Sequence, residues 1–275
     1  VTITLALGMH RMARRHAIVK KLAAVETLGC TTVICADKTG TLTMNQMTAR
    51  RVVCQGRRFD VSGAGYDGAG EITPEDGHRA PDWPRLLTAA ALCADSRIRD
   101  GELIGDPTEG ALLALASKAG LDAQALSEHS PRIAEIPFDS AHKFMATFHH
   151  DGSVVRMWIK GAPDVLLARS SHYVSTDGVV PIEPAARAAF AAENAALADD
   201  AMRVLALAGR EIASSEFDPA GDLMRWSDDL TLIALVGMID PPRPEARAAV
   251  RECQAAGIAV KMITCDHGAT AAAIG

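Results

Sequence analysis

The sequence predicts an α/β fold that is interrupted by a large inserted α+β domain. Three apolar runs end in aspartate, at Asp37, Asp240 and Asp266. Strands this uniformly apolar suit a parallel sheet that is buried on both faces. The long stretch between the first run and the other two mixes hairpin and helix patterns, which is typical of an α+β domain.

The first apolar run is "TVICAD", and several elements of the insert follow it. "DPTEGALLALASKAG" predicts a helix with Asp106 as N-cap, Pro107 at its first position and Gly120 as its stop. "KFMATFHHDGSVVRMWIK" predicts a β-hairpin with Asp151 and Gly152 in the turn. "EPAARAAFAAENAALADD" predicts another helix, and "MRVLALAG" predicts a strand.

The end of the sequence predicts a βαβ unit. The strands are "TLIALVGMID" and "AVKMITCD", and the helix "RPEARAAVRECQAAG" lies between them, with Pro244 near its start and Gly257 at its end. Open α/β sheets bind ligands outside the carboxyl ends of their strands. We therefore expect Asp37, Asp240 and Asp266 to converge on one edge.

Composition excludes several classes of function. The formal net charge of −6 argues against a nucleic-acid-binding surface. The six cysteines are scattered without a CxxC pair, and the nine histidines show no metal-ligand spacing. This usage indicates reduced cytosolic thiols instead of a disulfide framework or a zinc site.

Both ends of the sequence look cut. It opens on the apolar "VTITLALGM", which is shorter than the about 20 residues that span a bilayer. A basic run, "HRMARRHAIVKK", follows. The pattern is typical of the cytoplasmic end of a transmembrane helix or of a basic surface helix, and it does not distinguish the two.

The stretch "ICADKTGTLT" carries the most chemistry. Its Asp37 either ends a strand in an ordinary turn or acts as a nucleophile on a phosphoryl group. A carboxylate can attack the γ-phosphate of ATP, and aspartyl-phosphate ATPases use such a nucleophile. The reaction needs Mg²⁺ and hydrogen-bond donors around the phosphate. Gly40, which permits a tight turn, and the hydroxyls of Thr39 and Thr41 fit that need.

"DKTGTLT" resembles the phosphorylation motif of P-type cation-transporting ATPases. Four further stretches match the family in its order: "GDPTEGAL" (105–112), "KGAPD" (160–164), "DPPRPE" (240–245) and "MITCDH" (262–267). The flank "LGMHRMARRHAIVKKLAAVETLG" resembles the calcium-pump-like branch at the end of its fourth transmembrane helix. The resemblance therefore favours a membrane-helix end at the start of the chain.

The resemblance implies a haloacid dehalogenase-like, Rossmann-type phosphorylation domain, incomplete at its C-terminal side, with an inserted α+β nucleotide-binding domain. The implied ranges are a transmembrane helix end and basic stalk (1–21), the first part of the phosphorylation domain (22–46), the nucleotide-binding domain (47–231) and the truncated second part of the phosphorylation domain (232–275).

The family's roles in the phosphorylation domain carry over by position. Asp37 matches the residue that becomes phosphorylated, Lys38 belongs to the same catalytic motif, and Thr39 matches the residue whose backbone carbonyl binds Mg²⁺. Asp37 and Thr39 are thus the expected metal ligands. Thr264 and Asp266 are expected near the incoming phosphate. Asp240 and Arg243 are expected at the same edge and at the hinge between the domains, although Asp240 also suits a plain strand-to-turn cap.

In the insert, Phe138 matches the aromatic residue that stacks on adenine. Lys143 and Lys160, the latter followed by Gly161, match residues that line the nucleotide pocket. Glu109 and Arg203 match polar contacts to the nucleotide. Each residue also has a structural alternative. Phe138 suits a core, Glu109 a capping box with Asp106, Lys160 a solvated strand end, and Arg203 an ion pair with Asp199 or Asp200.

We therefore expect the cytoplasmic catalytic part of an integral membrane cation pump. Its expected ligands are ATP, Mg²⁺ and a transported cation, with the membrane reached through helices outside the sequence and no nucleic-acid partner. The identity of the ion cannot be predicted, because its ligands lie in those helices. Two alternatives are a soluble haloacid dehalogenase-like phosphatase and a non-catalytic nucleotide-binding module from a truncated gene. Thr39 counts against the phosphatase, which commonly carries an aspartate at that position.

One departure concerns the motif that reads Thr-Gly-Asp in the family and Thr264-Cys265-Asp266 here. Glycine serves where backbone approaches a phosphate closely or takes a positive φ. We expect Cys265 to impair phosphoryl transfer and to leave nucleotide binding by the insert intact. The alternative is an ordinary φ at this position, with the thiol pointing away from the phosphate.

Overall fold

The computed structural model describes residues 2–77 and 83–264, which divide into two compact units. Of the described residues, the smaller unit holds those up to Met44 and those from Pro242 to Thr264, and the larger unit holds those between Asn45 and Pro241. The changes of unit lie at 44/45 and 241/242. The domain ranges expected from the resemblance stay a prediction.

The smaller unit contains a two-stranded parallel sheet and three helices. Asp37 lies opposite Ile263 at the carboxyl end of this sheet. Among the described residues, no helix is both long enough and apolar enough to cross a membrane. The elements are α1 (Thr2–Ala13), α2 (Leu22–Gly29), β1 (Val33–Asp37), α8 (Pro244–Ala255) and β14 (Ala259–Ile263).

The larger unit is built on a ten-stranded, mostly antiparallel sheet with a separate small hairpin. The strands of the large sheet are β2 (Thr48–Cys54), β3 (Arg57–Val61), β4 (Ile72–Pro74), β7 (Arg132–Asp139), β8 (Phe144–Asp151), β9 (Val154–Gly161), β10 (Ser170–Ser175), β11 (Gly178–Pro181), β12 (Arg203–Ala213) and β13 (Leu230–Ile239). The hairpin consists of β5 (Arg97–Arg99) and β6 (Glu102–Ile104).

Helices cover both faces of the large sheet. They are α3 (Pro84–Leu92), α4 (Pro107–Lys118), α5 (Ala123–His129), α6 (Pro163–Arg169) and α7 (Pro184–Asp199). One buried cluster includes side chains of α3 and α4, and a second includes side chains of α6 and α7. The main path of the sheet is β4-β3-β2-β13-β12-β9-β8-β7, and β10 joins it beside β13 in parallel.

The prediction of a parallel sheet is wrong for β13, the strand that ends before Asp240. β13 runs antiparallel to both β12 and β2 in the large sheet. Its side chains contribute to both buried clusters, Ile233 and Val236 to one and Leu232 and Leu235 to the other. Burial on both faces requires apolar residues whatever the direction of the neighbouring strands. The apolar run was therefore misinterpreted as a parallel strand.

The predicted βαβ unit is also wrong in its pairing. α8 precedes β14, but β14 pairs with β1 and not with β13. A linear pattern of strand, helix and strand cannot show that its first strand belongs to another sheet.

Several local predictions are confirmed. α4 begins after Asp106, whose side chain caps it, and Gly120 follows its end with a φ of 84°. β8 and β9 form a hairpin in which Asp151 pairs with Val154, and Gly152 in the loop has a φ of 62°. The helix α7 and the strand β12 also form where the sequence predicts them.

Candidate nucleotide and phosphorylation sites

A buried ion pair joins β9 to α4 in the larger unit. Lys160 lies next to the end of β9, and Glu109 lies in the first turn of α4. The Nζ atom of Lys160 donates to Oε1 of Glu109 and to the backbone oxygen of Cys93. Only 9% of the Lys160 side chain and 11% of the Glu109 side chain are exposed. The predicted alternative of a solvated Lys160 is therefore wrong.

The second carboxylate oxygen of Glu109 accepts three hydrogen bonds. The donors are the backbone N–H of Asp95 at 2.9 Å, the backbone N–H of Ser96 at 2.7 Å and the Ser96 hydroxyl at 2.6 Å. Burial by itself raises the pKa of the Glu109 carboxyl, but the charge of Lys160 and the hydrogen bonds from Lys160 and Ser96 outweigh it. The net pKa lies below its usual value, which keeps the group ionised.

The capping box, which was the structural alternative for Glu109, does not form. The Asp106 side chain accepts from the backbone N–H groups of Thr108 and Glu109, as an N-cap does. The backbone N–H of Asp106, however, donates to the Ser96 hydroxyl at 2.8 Å instead of to the Glu109 carboxylate. Glu109 is thus available to bind the chain segment that follows α3.

That segment, Leu92 to Ser96 (hereafter the 92–96 segment), is held by donors from three strands. Thr147 on β8 donates to the carbonyl of Leu92 at 3.3 Å. Lys160 on β9 donates to the carbonyl of Cys93. Arg132 on β7 donates to the carbonyl of Ala94 and to the Asp95 carboxylate, each at 2.7 Å. Two of these donors are cations at the C-terminal end of α3, where the helix dipole favours positive charge.

The β7–β8 turn and the end of β9 form one end of the large sheet. Asp139 pairs with Phe144, and Phe144 pairs with Gly161. Phe138 therefore lies near Lys160, two strands away. Phe138 is 65% exposed, which excludes the core alternative. Lys143 is exposed in the turn, where it has a φ of 59°.

Gly161 is required by the close approach of this turn. A Cβ atom at position 161 would lie 2.5 Å from the backbone oxygen of Lys143 and 2.6 Å from Cβ of Phe144. The same Lys143 oxygen accepts the N–H of Ala162 at 2.9 Å. Any larger residue at 161 would push the turn that carries Lys143 away from β9.

Arg203 begins β12 at the same end of the sheet, three residues before Ala206, which pairs with Gly161. Its Nη1 atom donates to the hydroxyl of Thr108 at 3.1 Å. That contact replaces the predicted pairing with Asp199 or Asp200, and it brings Arg203 to the first turn of α4, where Glu109 lies.

All the site residues predicted within the insert thus lie at one end of the large sheet. They combine an exposed aromatic ring, cationic side chains and a buried, ionised carboxylate. An aromatic ring offers a stacking surface, and cationic groups bind phosphate. These residues are Glu109, Phe138, Lys143, Lys160, Gly161 and Arg203.

The smaller unit holds the predicted phosphorylation loop. Asp37 is exposed at the end of β1, and the turn Lys38–Leu42 follows it. Gly40 has a φ of 73°, a conformation that glycine adopts without strain. Thr39 is exposed, whereas Lys38 is only 5% exposed. The loop thus exposes the proposed nucleophile at a defined strand end.

Two residues hold this loop closed. The hydroxyl of Thr43 donates to the backbone oxygen of Lys38 at 3.1 Å and accepts the N–H of Gly40 at 3.3 Å. Arg243 donates from its side chain to the Gly40 oxygen at 3.1 Å and from its backbone to the Leu42 oxygen at 2.8 Å. Arg243 therefore lies beside the loop, and its expected position at the hinge between the domains stays a prediction.

The expected convergence of three strand-end carboxylates stays a prediction. Thr264 follows Ile263 at the sheet end where Asp37 lies. Asp266 and Cys265 lie outside the described residues. Asp240 belongs to the larger unit, where it is buried and its Oδ1 accepts the N–H of Gln46 at 3.1 Å. Its described contact fits the strand-to-turn alternative, because it ties the end of β13 to the chain just before β2.

The structure also adds residues that the sequence patterns did not single out. They are Thr43, Ser96, Arg132 and Thr147. Each acts through a hydrogen bond to backbone that is distant in sequence or in a loop, which no periodicity or short motif encodes. Only the family-like spacing of "DKTGTLT" could have drawn attention to Thr43, its last residue.

The larger unit also has a cleft of about 310 Å³ that includes Arg85, Arg156, Trp158 and Glu211. Among the described residues that line it, none is a predicted site residue. Two of its arginines already contact Glu211. The charged cluster at the sheet end is the stronger candidate, because it combines an exposed aromatic ring with cations.

The sequence of the chain matches a known family of proteins. A family model described as "P-type ATPase, cytoplasmic domain N" matches residues 82–245. The chain therefore belongs to the P-type ATPase family.

Individual relatives match along the whole chain. The chain is 43% identical to the cation-transporting ATPase pma1 of Synechocystis and 42% identical to a calcium-transporting ATPase of Bacillus subtilis. It is 40% identical to the calcium-transporting ATPase type 2C member 1 of Bos taurus. Each match covers 100% of this chain but only 31%, 32% and 28% of those relatives, respectively. The chain thus spans about a third of their length.

Proposed function

We propose that this chain binds ATP through the larger unit and accepts its γ-phosphate on Asp37 in the smaller unit, as part of a cation-transporting P-type ATPase. The observation that carries the proposal is the grouping at one sheet end of the buried Lys160–Glu109 pair and the exposed Phe138. The family match to the cytoplasmic domain N supports the same site.

Each residue at the sheet end has a distinct task in this proposal. Phe138 stacks on the adenine ring, a contact worth about 1–3 kcal/mol per base in nucleic-acid sites. Lys143 and Arg203 bind the phosphate groups by charge-assisted hydrogen bonds. Lys160 and Glu109 fix the wall of the pocket between β9 and α4.

In the smaller unit, Asp37 is the nucleophile. One of its carboxylate oxygens forms a bond to the γ-phosphorus, and the bond from that phosphorus to the β–γ bridging oxygen breaks, so that ADP leaves with the electron pair. The Thr43 and Arg243 contacts hold the loop so that its backbone keeps one geometry during the transfer. We further propose that this unit belongs to the haloacid dehalogenase-like phosphorylation domain, which the parallel pairing of β1 and β14 supports.

The proposed metal is Mg²⁺, with the Asp37 carboxylate and the Thr39 carbonyl as its ligands from this loop. Carboxylate and carbonyl oxygens suit this ion, which usually binds one or two carboxylates together with water and substrate phosphate. No cluster of three or more His, Cys, Asp or Glu side chains suited to a metal occurs among residues 2–77 and 83–264. When bound, Mg²⁺ would offset phosphate charge.

The transported ion belongs to the whole pump. Relatives named as calcium-transporting ATPases favour a calcium-pump-like protein in which ATP hydrolysis is coupled to cation transport. The proposed setting is the cytoplasmic side of a membrane. The family match disfavours the soluble phosphatase alternative.

The test is an equilibrium titration of the 275-residue chain with ATP and ADP, with and without Mg²⁺. We expect saturable binding with little need for Mg²⁺, and binding about 5- to 150-fold weaker in Phe138→Ala. Val179→Ala is the matched control, because Val179 is another exposed apolar residue of the larger unit. Equal affinity of Phe138→Ala and the unaltered chain would reject the stacking role, and absence of binding by the unaltered chain would reject the proposal.

A further inference from the structure

Ser96 connects three parts of the candidate nucleotide site. Its hydroxyl donates to Oε2 of Glu109 at 2.6 Å, and its backbone N–H donates to the same oxygen at 2.7 Å. The hydroxyl also accepts the N–H of Asp106, the N-cap of α4, at 2.8 Å. Ser96 is 6% exposed. One buried hydroxyl thus binds both the carboxylate and the start of the helix that carries it.

The backbone around Ser96 leaves little freedom for this hydroxyl. Gly105 has a φ of 128°, and a Cβ atom there would lie 2.2 Å from Oγ of Ser96. The 92–96 segment on its other side is held by Thr147, Lys160 and Arg132. The close approach of Gly105 and the contacts of the 92–96 segment therefore restrain the Ser96 side chain to the rotamer that faces Glu109.

The two carboxylate oxygens of Glu109 therefore accept different numbers of hydrogen bonds. Oε2 receives three donors, from Asp95 and Ser96, whereas Oε1 receives Lys160 as its donor among the described residues. A carboxylate offers about four lone-pair sites. The Ser96 contacts therefore turn Oε1 toward Lys160 and leave it acceptor capacity for a ligand.

We propose that Ser96 is a positioning residue for ATP binding, which holds the Glu109 carboxylate oriented beside Lys160. This inference rests on the proposed nucleotide-binding function. The geometry assigns the role to the hydroxyl, because an alanine would keep the backbone donors of Asp95 and Ser96 and remove only the 2.6 Å bond and the link to Asp106.

Several charged or titratable groups surround Glu109. Those on or near neighbouring elements are Lys160 on β9, Cys93 and Asp95 in the 92–96 segment, Arg132 on β7 through Asp95, Arg203 on β12 through Thr108, and Asp106 at the start of α4. None of these residues changes in a Ser96 variant. A pH effect that is specific to the variant therefore reports on the environment of Glu109.

The experiment measures the ATP dissociation constant of the whole chain and of Ser96→Ala between pH 4 and pH 8, a range that reaches down to the ordinary pKa of a glutamate carboxyl, about 4.3. The ratio of the two constants removes the titration of ATP itself. We expect a ratio of about ten at pH 7.5, as for the loss of one hydrogen bond to a charged group. We expect the ratio to rise as the pH falls, because the Glu109 pKa is higher without the hydroxyl and protonation then removes its charge.

Three further variants make the result decisive. Ser170→Ala is the matched control, since Ser170 is 3% exposed and donates to the backbone of Leu166, away from Glu109. Its ratio should stay near one at every pH. In Glu109→Gln, the added Ser96→Ala change should lose its pH dependence. If Ser96→Ala does not fold, Ser96→Cys replaces it, because a thiol is a much weaker donor than a hydroxyl.

A pH-independent ratio, or a ratio of one, in chains that bind ATP would overturn the role of Ser96 and leave the proposed function standing. Failure of the unaltered chain to bind ATP would contradict the proposed function, and the role of Ser96 would fall with it.

Discussion

Lys160 and Glu109 form an ion pair that is almost wholly removed from solvent, and the ammonium of Lys160 also binds a carbonyl at the end of α3. The pair therefore joins a strand to two helices. Buried charges are tolerated only when their partners and remaining hydrogen bonds are in place. Here the three donors to Oε2 of Glu109 meet that requirement.

Breaking this pair should strongly destabilise the larger unit. Lys160→Met leaves the Glu109 carboxylate buried without its cation, and the expected cost is about 3–5 kcal/mol in the free energy of unfolding. Urea unfolding monitored by tryptophan fluorescence measures it, since the three tryptophans lie at 83, 158 and 226. The double variant Lys160→Met/Glu109→Leu should recover part of the loss.

The control is an exposed ion pair on the same sheet. Arg156 contacts Glu211, with 28% and 51% of their side chains exposed. Glu211→Gln should change the free energy of unfolding by less than about 1 kcal/mol. Similar losses in Glu211→Gln and Lys160→Met would show that burial of the Lys160 pair has no special weight.

The same pair predicts a pH dependence of stability. The pKa of Glu109 is lower in the folded chain than in the unfolded chain. Its contribution is therefore complete above the unfolded pKa of about 4.3 and is lost as the pH falls through the lower folded value. We expect the stability difference between the unaltered chain and Glu109→Gln to be constant from pH 6 to 8 and to shrink below pH 4. A stability difference that grows as the pH falls would contradict a lowered pKa of Glu109 in the folded chain.

Local chemistry in the sequence predicted much of the fold. Asp106, Pro107 and Gly120 give the bounds of α4, because capping and helix termination depend on residues within one turn. The β8–β9 hairpin follows from alternation around Gly152 for the same reason. Sheet membership was not predictable in this way. β13 is as apolar as a central parallel strand but pairs antiparallel with β2, which lies far earlier in the chain.

The candidate site shows the same limit. A motif resemblance pointed to Glu109 and Lys160, but their hydrogen-bond partners come from the 92–96 segment. Exposure decides the interpretation of Phe138, and exposure depends on what the rest of the chain covers. The resemblance of short motifs to the family thus identified candidate site residues. Their hydrogen-bond partners became visible only in the three-dimensional structure.

Gly161→Ala should disturb the turn that carries Lys143. The added Cβ would lie 2.5 Å from backbone, so the strands must shift, at a cost of about 1–3 kcal/mol. We also expect weaker ATP binding, because Phe138 and Lys143 flank this turn. The matched control is Gly29→Ala, where the added Cβ meets no atom within 4 Å. Unchanged stability and affinity in Gly161→Ala would refute the tight approach of β9 to the turn.

Arg243 should rigidify the loop 38–43 through its bond to the Gly40 oxygen. Arg243→Ala removes the side-chain bond and keeps the backbone bond to Leu42, so amide exchange across 38–43 should accelerate without global unfolding. Arg247→Ala, at an exposed position on α8, serves as the control. Equal exchange in the two variants would show that the arginine does not restrain the loop.

The central claim, that ATP binds at the sheet end that carries Phe138, Lys160 and Arg203, is tested most directly by hydrogen–deuterium exchange of the whole chain with and without ATP. We predict slower exchange in 92–96, 107–110, 136–145, 158–163 and 203–206, with little change in α7. Protection confined to other parts of the larger unit, or identical exchange at saturating ATP, would contradict the claim.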